Sequence, residues 1–187
     1  MRTMARLGLC LLLVALVVSF CGCWELLSWS PDGRYLYLID PDQTRLWRWD
    51  TETQAAESML PDTEISCAFP LPGNQLVYLA GTDDESSTGD DAELVWRDFD
   101  DGSWRVLLQH TSRYAINISP DAHWIYAVRV KEENDAMEMV RFDLTNLDHS
   151  EVVIESAKLK LDVGIREISF PMPNTGGDKV LFVGNHD

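Results

Sequence analysis

Few side chains in this chain of 187 residues stand at spacings that do chemistry. The four cysteines are Cys10, Cys21, Cys23 and Cys67. Three crowd into the N-terminal twenty-three positions, and no CxxC pair or Cys/His cluster exists, so neither structural zinc nor a disulfide framework is expected. Cys67 sits in the apolar run Ile65 to Phe69 and reads as a small buried hydrophobe. The four histidines, His110, His123, His149 and His186, fall near turns or strand ends without a partner at metal-ligand spacing. An acidic insert, Thr82 to Asp91, carries the carboxylates that calcium favours but not the spacing of a calcium loop, and reads as a solvated loop. Arg48 and Arg141 alternate with apolar neighbours and are expected to pair with local carboxylates. No nucleophile elbow, HExxH motif or phosphate loop is present, so the expectation is no catalytic residue, no metal and no cofactor in this chain.

The overall charge narrows the partners. Lys and Arg total 15 against 31 Asp and Glu, a formal net charge of -16. Such a field repels phosphate backbones, which excludes nucleic acid as a partner.

The N-terminus supplies an address. A basic head (Arg2, Arg6) precedes the apolar run Leu7 to Phe20, and Gly22 then stands before Cys23. Basic head, apolar core and small residue form the grammar of a signal peptide over residues 1–22. Its ending resembles a bacterial lipobox, in which a small residue precedes the cysteine that receives diacylglycerol. That resemblance implies lipidation at Cys23 and a chain held outside the cytoplasm, in the bacterial cell envelope, through membrane-inserted acyl chains.

The elements that must carry any site repeat. Ser30-Pro31-Asp32-Gly33 lies between strand-like runs, with Pro presetting φ, Asp bonding its own backbone and Gly closing the turn. Echoes follow around Pro70, Pro120 and Pro171. A second landmark, an aromatic residue followed by Asp, recurs as Trp49-Asp50, Phe99-Asp100 and Phe142-Asp143. Each complete period therefore holds four short strands joined by hairpins, the pattern of a β-propeller blade. The fold class expected is all-β, a propeller of four-stranded antiparallel blades over residues 23–187. The blades are set at about 25–60, 61–109 and 110–156, with a half blade at 157–187.

Trp29 to Leu38, followed by Leu46-Trp47-Arg48-Trp49-Asp50, resembles the repeat of TolB-like and WD-repeat-like β-propellers. The resemblance implies that the strand before each Ser-Pro-Asp-Gly turn lines a central channel, and it carries architecture rather than activity. Three and a half blades do not close a ring of four to eight, so the expectation is a portion of a larger propeller, or self-association that pools blades. Two functions fit. One is a lipid-anchored binding module for another protein, without catalysis. The other is the truncated propeller domain of a prolyl-oligopeptidase-type peptidase or another propeller hydrolase.

Overall fold

The computed structural model describes residues 27–40, 44–81, 92–131, 136–155, 165–173 and 179–186, without the side chains of 112–115, 165–170 and 183–186. Hairpin follows hairpin throughout. Blade one comprises β1 (Leu27–Trp29), β2 (Tyr35–Ile39), β3 (Leu46–Asp50) and β4 (Ala56–Ser58), paired in that order. Blade two begins with β5 (Ile65–Leu71), β6 (Gln75–Ala80) and β7 (Ala92–Asp98). Next come β8 (Trp104–Ile118), β9 (Trp124–Val130), β10 (Met137–Asp143) and β11 (Asn146–Glu155). A final hairpin joins β12 (Ile165–Pro173) to β13 (Val180–His186), and every pairing is antiparallel.

One strand serves two blades. β8 pairs with β7 as far as Thr111, then with β9 from Thr111 to Ile118, so the outer strand of blade two runs on as the inner strand of blade three. His110 marks the bend, with φ of 53°. This left-handed conformation in a residue with a Cβ re-aims the strand from one blade to the next.

Side-chain alternation gives each sheet two apolar faces, and the faces stack in sequence. Tyr37, Ile39 and Leu46 of blade one meet Ile65, Leu76, Tyr78 and Val95 of blade two. The other face of blade two, with Cys67, Val77, Leu79 and Leu94, meets Ile125, Ala127, Val140 and Phe142 of blade three. Tyr126, Val128 and Met139 on the far side of blade three then receive Val180 and Phe182 of the last hairpin. The first strands of the units follow one another, β1 against β5, β5 against β8 and β8 against β12. Ser28 Oγ donates to the Ala68 carbonyl at 3.1 Å to tie the first two together. Four-stranded meanders stacked face to face about a shared line of inner strands are the arc of a β-propeller.

Two landmarks shift in the second copy. Pro70 lies inside β5 opposite Leu76, and the turn consists of Pro72, Gly73 and Asn74 between Leu71 and Gln75. Its missing N–H is tolerated because, among the described residues, β5 pairs with β6 alone and has no ladder bonds along its other edge. Pro171 is likewise a residue of β12, not of the turn. Asp98 rather than Asp100 pairs across from the strand that follows the turn, as Asp50 and Asp143 do. Cross-strand partners, which sequence spacing does not reveal, set the register.

Candidate functional site

The Ser-Pro-Asp turn is a small machine for fixing a loop. Ser30 Oγ donates to Asp32 Oδ1 at 2.5 Å and accepts the Tyr35 N–H at 2.8 Å, while Asp32 Oδ1 accepts the Arg34 N–H at 3.0 Å. Blade three repeats it: Ser119 Oγ donates to Asp121 Oδ1 at 2.6 Å and accepts from Trp124 N at 2.9 Å, and Asp121 accepts the His123 N–H at 3.2 Å. These bonds, the serine hydroxyl first, hold both carboxyls below the usual carboxylate range. Beside each such turn lies the turn that ends the third strand, capped by a carboxylate. Asp50 accepts from Glu52 N, Asp98 from Asp100 N and Asp143 from Thr145 N, all at 2.8 Å. All these turns share one rim of the arc, as the Thr51 N–H donating to the Arg34 carbonyl at 3.0 Å shows for blade one.

A ladder of three side chains crosses two of the blades just beneath this rim. Tyr37, Arg48 and Glu57 stand opposite one another on β2, β3 and β4, and Tyr126, Arg141 and Glu151 occupy the matching places on β9, β10 and β11. Arg48 Nε donates to Glu57 at 2.7 Å, and Arg141 pairs with Glu151. Burial works against the Arg48 charge, yet Glu57 and Tyr37 outweigh it and hold the pKa above the ordinary value. Burial also pushes the Tyr37 phenol up. The guanidiniums lie 4.7 Å above the Tyr35 ring and 4.3 Å above the Trp124 ring, within cation–π range. Both arginines therefore find the local carboxylates expected from sequence.

Arg48 does more than that. Its Nη1 donates to Asn74 Oδ1 at 2.7 Å, and Asn74 Nδ2 donates to Asp100 Oδ1 at 2.7 Å, which locks the turn of blade two to blade one. Between the two turns opens a cleft of about 580 Å³, lined by Pro31, Asp32, Tyr35 and Tyr37 on one side and by Pro72, Asn74 and Asp100 on the other. It combines fixed carboxylates with tyrosine rings at the boundary of two blades.

A broader groove of about 750 Å³ lies where β8 leaves β7, with Gln109, His110, Arg129 and Lys131 along it. Its cations are turned to a buried acid. Arg129 Nη2 reaches Glu138 Oε2 at 2.8 Å, and Lys131 pairs with the other oxygen of the same carboxyl. Burial alone would raise the Glu138 pKa; Lys131 and Arg129 outweigh it and bring it below the ordinary value. Sequence reading missed this acid, because nothing in the local sequence distinguishes Glu138 from the chain's other acids.

The remaining residues singled out from sequence fall in plain places. Cys67 is buried in the core between blades two and three. His123 Nε2 stands 3.5 Å from Asp143 at the blade-three turn, and His149 lies edge-on to Trp124, with ring centroids 6.2 Å apart. Asp101 and Gly102 form a hairpin turn, Gly102 at φ of 77° and Asp101 accepting from Ser103 N at 2.7 Å. Among the described residues no group of three His, Cys, Asp or Glu side chains is placed to hold a metal ion. Cys23 and the acidic insert 82–91 lie outside the described residues.

Neither a family model nor a curated protein sequence matches the chain. Solved structures do. Hydrazine synthase of Kuenenia stuttgartiensis aligns with 85% of this chain at a TM-score of 0.57 and 12% identity, over 43% of its own length. The β-propeller domain of Swd1 from Myceliophteria thermophila aligns with 86% at 0.49 and 16%, over 48% of its length. A TolB-type protein from Agrobacterium tumefaciens aligns with 87% at 0.37 and 18%, over 70% of its length. Such identities bear on fold alone, and the chain spans about half the length of the first two. The stacked meanders define a β-propeller architecture, of which the described residues supply three blades and a further hairpin.

Proposed function

We propose that this chain is a lipid-anchored, extracytoplasmic β-propeller module that binds a protein partner at its turn rim and carries out no catalysis itself. The observation that carries this reading is the cleft between the blade-one and blade-two turns. Its walls are fixed before any partner arrives, by the Ser30–Asp32–Tyr35 bonds on one side and the Arg48–Asn74–Asp100 chain on the other. A preorganised loop surface loses little entropy on binding, and tyrosine is among the residues enriched where proteins meet. A formal net charge of -16 draws a basic partner to the chain, and Asp32 and Asp100 set two of its carboxylates at the cleft.

The anchor fits the same arrangement. Cys23 lies four residues before β1 begins at Leu27, so an acylated Cys23 holds the inner strand of blade one within about 14 Å of the lipid. Labelled palmitate is expected to enter the wild-type chain and not the Cys23→Ala variant, which leaves the membrane fraction. Complexes isolated from envelope membranes with the full chain are expected to fall several-fold in yield when Asp32→Asn and Asp100→Asn are combined, and to dissociate as salt is raised. Unchanged palmitate labelling refutes the anchor, and unchanged complex yield refutes the rim.

A further inference from the structure

The first and last sheets of the arc each leave one face uncovered among the described residues, and the two faces are of opposite kind. On blade one the uncovered face holds Leu27, Trp29, Leu36, Leu38, Trp47, Trp49, Ala56 and Ser58, set by the register of its four strands. None is charged, in a chain where a quarter of the residues are. Trp29 is 54% exposed, Leu38 and Trp47 37% each, and a groove of about 460 Å³ runs past Leu38, Trp47 and Trp49. This surface has a defined role elsewhere in the molecule. Matching Asp50 to Asp143 and Tyr35 to Trp124 makes Leu36, Leu38, Trp47 and Trp49 the counterparts of Ile125, Ala127, Val140 and Phe142. In blade three those four are buried against blade two. The blade-one face is therefore built to receive the preceding blade of a ring.

The last hairpin presents the other half of such a contact. Val180 and Phe182 pack back onto blade three, so strand alternation turns Leu181 the other way, where it is 66% exposed with its cross-strand partner Met172 at 45%. Leu181 thus stands where Tyr37 and Tyr126 stand in blades one and three, on the side that presses into the next blade.

We propose that a second copy of this chain covers both faces, head to tail, the β12–β13 hairpin of each copy seating on the Trp29–Leu38–Trp47 face of the other. Three lines carry this. The contact continues the series of blade interfaces already formed within the chain. The two faces are complementary by position rather than self-complementary, which selects a heterologous contact over pairing of like faces. The described residues of two copies supply six blades and two further hairpins, within the four to eight blades around which propellers close. Trp29, Leu38, Trp47, Met172 and Leu181 carry no charge, so the acidity of the two copies opposes their contact only from a distance, and screening reduces that opposition.

The test uses the full chain in non-ionic detergent, with light scattering corrected for bound detergent. Wild type is expected at the mass of two copies. Trp47→Asp and Leu181→Asp, both at exposed positions, are each expected at the mass of one, with near-ultraviolet circular dichroism unchanged. Mixed in equal amounts, the two variants regain a two-copy species, because one undamaged contact remains possible between them. A Trp47→Cys, Leu181→Cys double variant is expected to cross-link into a dimer under mild oxidation, which reads the contact even if an aspartate variant fails to fold. A single-copy wild type overturns the proposal. So does a Leu181→Asp protein that stays dimeric, which would indicate pairing of like faces. Vesicle binding lost only in Trp47→Asp, with wild type monomeric, would assign the tryptophan face to a lipid surface instead.

Discussion

Replacing Glu138 by Gln removes a charge without changing shape, and the structure sets the cost. The Glu138 side chain is 3% exposed, and its two carboxyl oxygens serve Arg129 and Lys131, which are 39% and 36% exposed. Breaking a fully buried ion pair from one side costs about 3–5 kcal/mol, because the surviving charge is left unpaired in a low dielectric. Here the two survivors already reach water and can turn into it, so the loss falls toward about 2 kcal/mol, chiefly the weakened charge-assisted bonds and an amide N–H₂ facing cations. Urea unfolding followed by tryptophan fluorescence at pH 7 reads the change as a lower midpoint at constant m-value. The sign against pH follows from the depressed Glu138 pKa. The carboxylate stabilises the fold above its unfolded value near 4.5, and that contribution disappears as pH falls through the lower folded value. The difference between wild type and Glu138→Gln should therefore shrink on acidification below about pH 4.5. A variant within about 0.5 kcal/mol of wild type at pH 7, or a gap that widens in acid, refutes the reasoning.

Four further outcomes follow from the turns and the core. Ala122 holds the position of Gly33 at φ of 55°, so Ala122→Gly should stabilise by about 0.5 kcal/mol, the relieved left-handed strain less the entropy of a freer unfolded chain. Gly33→Ala, where an added Cβ meets nothing within 4 Å, should destabilise by about 1 kcal/mol through backbone strain alone; thermal melts of the two variants moving in the same direction contradict this. The carboxyls of Asp32, Asp50, Asp121 and Asp143 are all held below 3.8 by their hydrogen bonds. Their contribution is complete above that value and lost below it, so the melting temperature should fall steeply under about pH 4 and less steeply in Asp32→Asn, Asp121→Asn. Leu46 is fully buried between blades one and two, and Leu46→Ala should cost about 3 kcal/mol in urea unfolding, against under about 1 kcal/mol if the blades did not stack.

The sequence made the architecture legible because turn chemistry is local. Pro31, Asp32 and Gly33 announce a hairpin from within four residues, and Asp121 with Ala122 announces its twin despite the lost glycine. What escaped was decided across strands. Pro70 looked like the index proline of the second copy, yet the pairing of Leu71 with Gln75 passes that role to Pro72, and the same register makes Asp98 the cap in place of Asp100. The continuity of β8 through His110 was invisible, since a left-handed histidine carries no signal of its own. The rim followed the same division. Arg48 and Arg141 were expected to meet carboxylates, but that Arg48 also reaches Asn74 across the blade boundary depends on stacking that no single repeat contains.

Central to this account is the proposal that the rim between the first two blades is the surface that meets a protein. Photo-cross-linking in intact envelopes compares it directly with the opposite rim of the same two blades. A photoreactive side chain at Pro72, in the cleft, is set against one at Asp62, in the exposed turn between β4 and β5 that lies beside the Thr44 connection. The account predicts a discrete cross-linked protein from Pro72 that disappears when Asp32→Asn and Asp100→Asn are added, and none from Asp62. Equal cross-linking from both positions, or from Asp62 alone, would contradict it.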